Sequence, residues 1–317
     1  MLEVNNINYE GYDAYQLKTE ELSLIILPAV GGRIVSYTYK EHEFLYTIPE
    51  LKGGKYNLEG IVDIESYRKD LAYVPAGGYK TWLAPQSKWG WPPYLDLAIG
   101  DYEVAYEVDE KELKFEVKSP CCRETGMRLT RTIFLNKEDK KVRIKQGMKN
   151  SNSDNKQEYG LWDVTQVQGS GQVIFPLQSK EDLIFLNQSQ SDSIVEIIEV
   201  EQQLLAVVDC QGQQEFKLGT SFSAGWMLTV LETPNRKLGY LKEFPVFVEA
   251  TFGHECALEV FDTYKYDYFE VEVHGPVKEL KPKQSTSFTE EWSSYQWNKS
   301  NSLKEIILDL KERKSKV

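Results

Sequence analysis

The chain has 317 residues, 41% of them apolar and 12% aromatic, and a formal net charge of −12. That length fits one large domain or two smaller ones, and the apolar fraction supports a sizeable core. The negative balance argues against the clustered Lys and Arg of a phosphate-binding surface, so no nucleic-acid partner is expected, and it is also a poor match to an anionic membrane.

Residues 1–10 lack the basic and apolar regions of a signal peptide, and no apolar run reaches bilayer-spanning length. The expectation is a soluble cytoplasmic protein with no membrane association. Cys121, Cys122, Cys210 and Cys256 show no C-x-x-C spacing and read as free thiols. Only His42, His254 and His274 are available to any histidine mechanism.

In chain order, Leu22 to Leu27 is a short apolar strand ending at Pro28, and Gly31-Gly32 separates it from a second strand carrying Ile34, Val35, Tyr37 and Tyr39. Glu43 to Thr47 reads as one more strand of that sheet, and Pro49 to Asp70 as polar, irregular surface. Gly77 to Pro93 has three Trp, one Tyr, two Lys, three Pro and three Gly in seventeen residues. It shows neither strand alternation nor helical period, which predicts a stiffened loop. Flat indole faces suit the C–H face of a sugar, and Lys80 and Gln86 can reach its hydroxyls. The competing reading is that Trp82, Trp89 and Trp91 plug the mouth of a β core.

Tyr102–Val108 with Glu112–Lys118, and Met127–Leu135 with Lys141–Lys149, alternate as two antiparallel hairpins. Further strands are predicted at Tyr159–Val167, Val173–Leu177, Ser193–Glu199, Leu204–Val208, Gln214–Leu218, Trp226–Glu232, Val246–Phe252, Leu258–Thr263 and Phe269–Val273. Short strands at this spacing predict an all-β sandwich. Ser302 and Glu305 form a capping box, and Leu303, Ile306, Ile307 and Leu310 share one helical face, predicting a helix over Leu303 to Arg313. The division expected is residues 1–297 as one β domain and 298–317 as a helix and tail packed on it.

Two strands carry candidate chemistry. In Tyr159–Gln166, alternation puts Leu161, Asp163 and Thr165 on one face and Trp162, Val164 and Gln166 on the other. Trp162 and Gln166 could stack on and hydrogen-bond a sugar, while Asp163 serves either a site or a buried ion pair. In Tyr268–His274, Glu270, Glu272 and His274 share a face. It is either solvated or a crowded acid–base site in which a carboxyl is pushed towards working pH. Arg33, after the Gly-Gly turn, can offer a rigid fork to a carboxylate or to hydroxyls. There is no P-loop, G-x-G-x-x-G, G-x-S-x-G, H-E-x-x-H or acidic calcium loop, so no cofactor and no metal are expected.

Leu27-Pro28-Ala29-Val30-Gly31-Gly32-Arg33-Ile34 followed by Phe44-Leu45-Tyr46 resembles the N-terminal signature of the galactose mutarotase-like superfamily. Gly77 to Gln86 with Trp89, Pro92 and Pro93 resembles one branch of it, the DUF4380 family. Leu161–Gln166 and Gly275-Pro276 before Leu280–Ser285 are similar to its later landmarks. The resemblance covers about Leu22 to Trp292. It implies a large antiparallel β-supersandwich binding a mono- or oligosaccharide on its concave face. For aldose 1-epimerases it implies a carboxylate that takes the anomeric proton and a histidine that protonates the ring oxygen. Glu272, or Glu270, matches the carboxylate's place. The strand expected to carry that histidine reads Leu161-Trp162-Asp163, which leaves Asp163 or His274 as the acid. Arg33, Lys80 and Gln166 would hold hydroxyls, and Trp82 and Trp162 would stack. The alternatives are a non-catalytic carbohydrate-binding protein, and a saccharide hydrolase or lyase with Asp163 and Glu272 roughly 5–10 Å apart.

Overall fold

A computed structural model describes residues 2–48, 56–138, 140–187 and 194–315. It consists of two antiparallel sheets stacked face to face, with a helix at the C-terminus. The first sheet runs β1 (Glu3–Tyr9), β2 (Tyr12–Lys18), β3 (Leu22–Leu27), β4 (Arg33–Tyr39), β6 (Tyr79–Ala84), β11 (Gln157–Gln168), β20 (Tyr268–His274), β19 (Leu258–Asp262), β16 (Phe216–Thr220) and β13 (Leu183–Phe185). Two short strands join it, β5 (His42–Glu43) beside β4 and β21 (Lys278–Leu280) beside β11. The second runs β14 (Val195–Val200), β15 (Gln203–Cys210), β12 (Gly171–Leu177), β17 (Trp226–Glu232), β18 (Arg236–Glu243), β22 (Ser285–Asn298), β10 (Lys141–Asn150), β9 (Met127–Asn136), β8 (Glu112–Lys118) and β7 (Glu103–Val108).

The all-β sandwich expectation holds, and so does the C-terminal helix, Leu303–Ser315. Its capping box forms: Ser302 N–H donates to Glu305 Oε2 at 2.7 Å, and Glu305 N–H to Ser302 Oγ at 3.3 Å. Ile306, Ile307 and Leu310 are buried against Ile174, Leu205, Val207 and Leu228, the outward face of the second sheet. Each such side chain contributes roughly 1.5–3 kcal/mol of burial. No helix among the described residues is long and apolar enough to cross a membrane.

Three expectations need correction. The tryptophan stretch is not a loop throughout: Tyr79–Ala84 is β6, a central strand buried on both faces. A strand covered on both sides has no alternation to read. Val246–Phe252 is not a strand; it lies in an irregular crossing in which Val248 is exposed and Glu249 adopts φ 56°. The strand that follows β17 in the chain and pairs with it is β18, which ends just before this segment. The polar Pro49–Asp70 segment contains a short helix, α1 (Ile64–Asp70), capped by Asp63, while residues 49–55 lie outside the described residues. Gly77 and Gly78 have left-handed φ of 84° and 66°, and a Cβ on Gly78 would strike the Ile34 carbonyl where β4 meets β6.

Between the sheets lies a buried polar network. Lys242 Nζ donates to Asp163 Oδ1 at 2.5 Å and Thr165 Oγ1 at 3.0 Å, and stands 3.2 Å from Glu290 Oε2. Tyr79 and Gln146 donate to Glu290 Oε1 at 2.5 and 2.9 Å. Thr81 donates to Gln146 and receives Arg131 Nη2. Burial, then the Glu290 charge, holds the Asp163 carboxyl well above its usual range against the pull of Lys242.

Candidate functional site

Because side chains alternate along a strand, the register of the first sheet settles which predicted residues meet. Trp82 on β6 lies opposite Trp162 on β11, and Trp162 lies opposite His274 on β20. In the same register Lys80 opposes Val164, Val164 opposes Glu272, and Gln166 opposes Glu270. Glu259 on β19 opposes Glu272 and Gly219 on β16, which places Lys217 two residues along on the same face. Lys80, Trp82, Trp162, Gln166, Glu270, Glu272 and His274 therefore share the face turned away from the second sheet.

Asp163 does not join them. It points between the sheets into the Lys242 network and is fully buried, which corrects its assignment as an acid and resolves its alternative as an ion pair, with Lys242 as the partner. Asp163 and Glu272 lie on opposite faces, so they cannot flank one glycosidic bond. Arg33 is buried and donates to the Gly77 carbonyl at 2.6 Å; its Nε and Nη2 have no hydrogen-bond partner among the described residues. Gln86 meets the site through its backbone, its N–H donating to His254 Nε2 at 3.1 Å. Trp89 is buried with its N–H on the Leu83 carbonyl, so it is a core plug. Trp91 is half exposed and sits edge-on to Trp82 and Tyr73, with ring centres 6.2 and 5.3 Å away.

The structure adds Lys217, Glu259 and His254 to the predicted set. Glu272 Oε2 accepts from Trp162 Nε1 at 2.6 Å and from Lys217 Nζ at 3.0 Å. The same ammonium lies 2.6 Å from Glu259 Oε2. Glu259 Oε1 faces His254 Nδ1 at 3.0 Å and His274 Nε2 at 3.3 Å. The Trp162 and His274 rings are nearly parallel, at 13° and 5.5 Å, and Lys217 Nζ sits 4.9 Å from the Trp162 ring centre. Beside this cluster, Gln166 Nε2 donates to Glu270 Oε1 at 2.8 Å, and Lys80 Nζ lies 3.5 Å from the same oxygen and 4.9 Å from the Trp82 ring centre.

Low dielectric splits the titrations. Burial pushes the Glu272 carboxyl well above the usual range; Lys217 opposes this, and Glu259 and Glu270 add to it. Burial acts the same way on Glu259, but His274, Lys217 and His254 outweigh it and hold it well below. Burial lowers His274 against the pull of Glu259. Lys217 is raised: burial works against its charge, and Glu272 and Glu259 more than compensate. Burial and the neighbouring Arg33 bring Lys80 down to about 8, with Glu270 opposing. Two carboxyls with titrations driven apart are the usual mark of an acid–base site.

Several polar atoms on this face have no hydrogen-bond partner among the described residues: Trp82 Nε1, Gln166 Oε1, Glu272 Oε1 and both ring nitrogens of His274. His254, Glu259 and His274 bring three metal-ligand atoms within 4.8 Å of one another. Two of the three, His254 and Glu259, are already committed to other partners. His254 Nε2 accepts a backbone N–H, so its proton is on Nδ1, the atom that would have to face a cation. A lysine ammonium also occupies the second oxygen of Glu259.

The DUF4380 profile, described as a domain of unknown function, matches residues 13–295. A search of curated proteins found no match. A candidate aldose 1-epimerase from Klebsiella pneumoniae superposes with a TM-score of 0.61 at 11% identity, covering 99% of this chain and 87% of that one. A galactose mutarotase-like protein from Clostridium acetobutylicum gives 0.53 at 13% identity, covering 94% and 99%. Galactose 1-epimerase from Lactobacillus acidophilus gives 0.52 at 9% identity, covering 93% and 99%. At such identities the likeness establishes the fold. The chain belongs to the DUF4380 family and has the galactose mutarotase-like fold.

Proposed function

We propose that this protein binds a mono- or oligosaccharide against Trp82 and Trp162 and interconverts its anomers by acid–base ring opening. The observation that carries the reading is that Glu272 Oε1, the His274 ring nitrogens, Trp82 Nε1 and Gln166 Oε1, all buried and unpartnered, belong to one face of one sheet, beside two indoles. Buried polar groups are nearly always satisfied, and each orphan costs about 1–3 kcal/mol, so a hydroxyl-rich ligand is the natural complement. The likeness of the fold to galactose 1-epimerase supports the same chemistry. In this reading Lys80 and Gln166 hold hydroxyls, Glu270 orients both, and Trp91 closes the rim. Glu272 and His274 exchange protons with the anomeric hydroxyl and the ring oxygen. Opening the ring, turning about C1–C2 and reclosing it returns both protons and consumes nothing.

The test is a panel of neutral aldoses, uronic acids and sugar phosphates read by tryptophan fluorescence, with polarimetry on each hit. A sugar that binds and reaches anomeric equilibrium faster with protein supports the reading. Saturable binding without acceleration replaces it with a non-catalytic carbohydrate-binding protein. No response from any saccharide removes both.

A further inference from the structure

We infer that His274 is the proton acceptor of this site and Glu272 its proton donor, with Glu259 as the positioning residue that fixes this direction. The inference rests on the acid–base reading above and assigns the direction that reading leaves open. It is the reverse of the direction implied by resemblance to aldose 1-epimerases.

An ionised carboxylate oxygen only accepts, so nitrogens that face it favourably must carry hydrogen. Glu259 Oε1 faces His254 Nδ1 and His274 Nε2 at 3.0 and 3.3 Å. For His254 the far side of the ring agrees independently, because Nε2 accepts the Gln86 N–H and is therefore bare. For His274, Nε2 is the nitrogen turned towards Glu259 Oε1, at 3.3 Å, although neither ring nitrogen completes a hydrogen bond among the described residues; hydrogen on Nε2, the side facing the carboxylate, leaves Nδ1 bare. A neutral imidazole with one bare, unengaged nitrogen is built to take a proton.

Glu272 is arranged the other way. Both its donors, Trp162 and Lys217, address Oε2, so a carboxyl proton has its place on the unpartnered Oε1. Charge balance agrees. Lys217 is closer to Glu259 than to Glu272, at 2.6 against 3.0 Å, and Glu259 gathers Lys217 and both imidazoles. The ammonium and Glu259 neutralise each other, and a protonated Glu272 beside a neutral His274 leaves the buried face uncharged. The other titratable groups facing the pair are Glu270 on the same strand, Lys80 on β6, and His254 and Cys256 ahead of β19; Glu270 is itself matched by Lys80. The upward shift of Glu272 and the downward shift of His274 favour the same state.

In ring opening, His274 Nδ1 takes the anomeric O–H proton as the C1 carbonyl forms. The C1–O5 bond breaks, and its electron pair takes the proton from Glu272 Oε1. Reclosure returns O5–H to Glu272 and the His274 proton to O1.

The test needs no sugar. With only three histidines in the chain, nitrogen-15 NMR of the labelled full-length protein can follow each imidazole, assigned with His42→Asn and His254→Asn. The expected result is a neutral His274 with hydrogen on Nε2, unchanged as pH falls through the ordinary histidine value of about 6.5. An imidazolium at neutral pH, or hydrogen on Nδ1, overturns the assignment. Glu259→Gln should mix the two tautomers; where that variant does not fold, Glu259→Asp should preserve the single tautomer. An infrared difference spectrum between wild type and Glu272→Gln at neutral pH should show a protonated carboxyl in wild type, and an ionised one refutes the donor role. Failure of every sugar to bind would sink the proposed function while leaving these protonation states to be decided separately.

Discussion

Replacing Lys217 with Met puts the electrostatics of the site to a direct test. Its ammonium bridges Glu259 Oε2 and Glu272 Oε2, two fully buried carboxyls, while its own side chain is 21% exposed. Removing one partner of a buried pair costs about 3–5 kcal/mol; partial solvation of the lysine and proton uptake by a carboxyl reduce this to about 2–3 kcal/mol near neutral pH. The sign of the pH dependence follows from that uptake. With the cation gone, one glutamate binds its proton more tightly when folded than when unfolded. The stability so recovered is fully present below the unfolded carboxylate value of about 4.5 and is lost as pH rises through the raised folded value. Urea unfolding of wild type and variant, followed by tryptophan fluorescence at about pH 5 and about pH 8, should give a small deficit at the lower pH and a larger one at the higher. An equal deficit at both, or one below about 0.5 kcal/mol throughout, would refute the shared bridge.

Lys242→Met removes the cation from two fully buried carboxyl groups and should cost about 3–5 kcal/mol in urea unfolding. Combining it with Asp163→Asn and Glu290→Gln should recover much of that loss; no recovery would argue against an uncompensated charge as the cause. Lys80 titrates near 8 when folded and at its ordinary 10.5 when unfolded, so the unfolded chain binds more protons between these values and stability should rise with pH across that window. Lys80→Met should flatten that rise, as read from unfolding midpoints. Glu272→Gln and His274→Asn should each slow anomer interconversion by about 10²–10⁴-fold in polarimetry while sugar binding persists, and unchanged turnover in either variant would exclude that residue.

Most of the strands could be read from the sequence because a half-buried strand writes its face into alternation: Glu112–Lys118 and Met127–Asn136 are nearly regular. The helix announced itself through Ser302, Glu305 and the Ile306/Leu310 face. The reading failed where both faces are covered, as in Tyr79–Ala84, and where an apolar run such as Val246–Phe252 crosses between elements without forming a strand. For the site, alternation correctly grouped Glu270, Glu272 and His274, and separated Trp162 and Gln166 from Asp163. It could not say which face of the Tyr159–Gln166 strand looks outward, and Asp163 was assigned to both possibilities.

The sequence by itself determined the local set: which residues share a strand face, where the helix starts, and which few histidines and acids are available. The tertiary structure alone decided the partners. Lys217, Glu259 and Glu272 lie on three strands and become neighbours only through the order β16, β19, β20. His254 reaches them from an irregular segment that no periodicity marks. Strand order is set by long-range pairing, and the shifts of Glu272 and His274 come from burial produced by that pairing. Neither is encoded in the spacing of residues along one strand, so the acid–base character of the site appears only once the sheet is assembled.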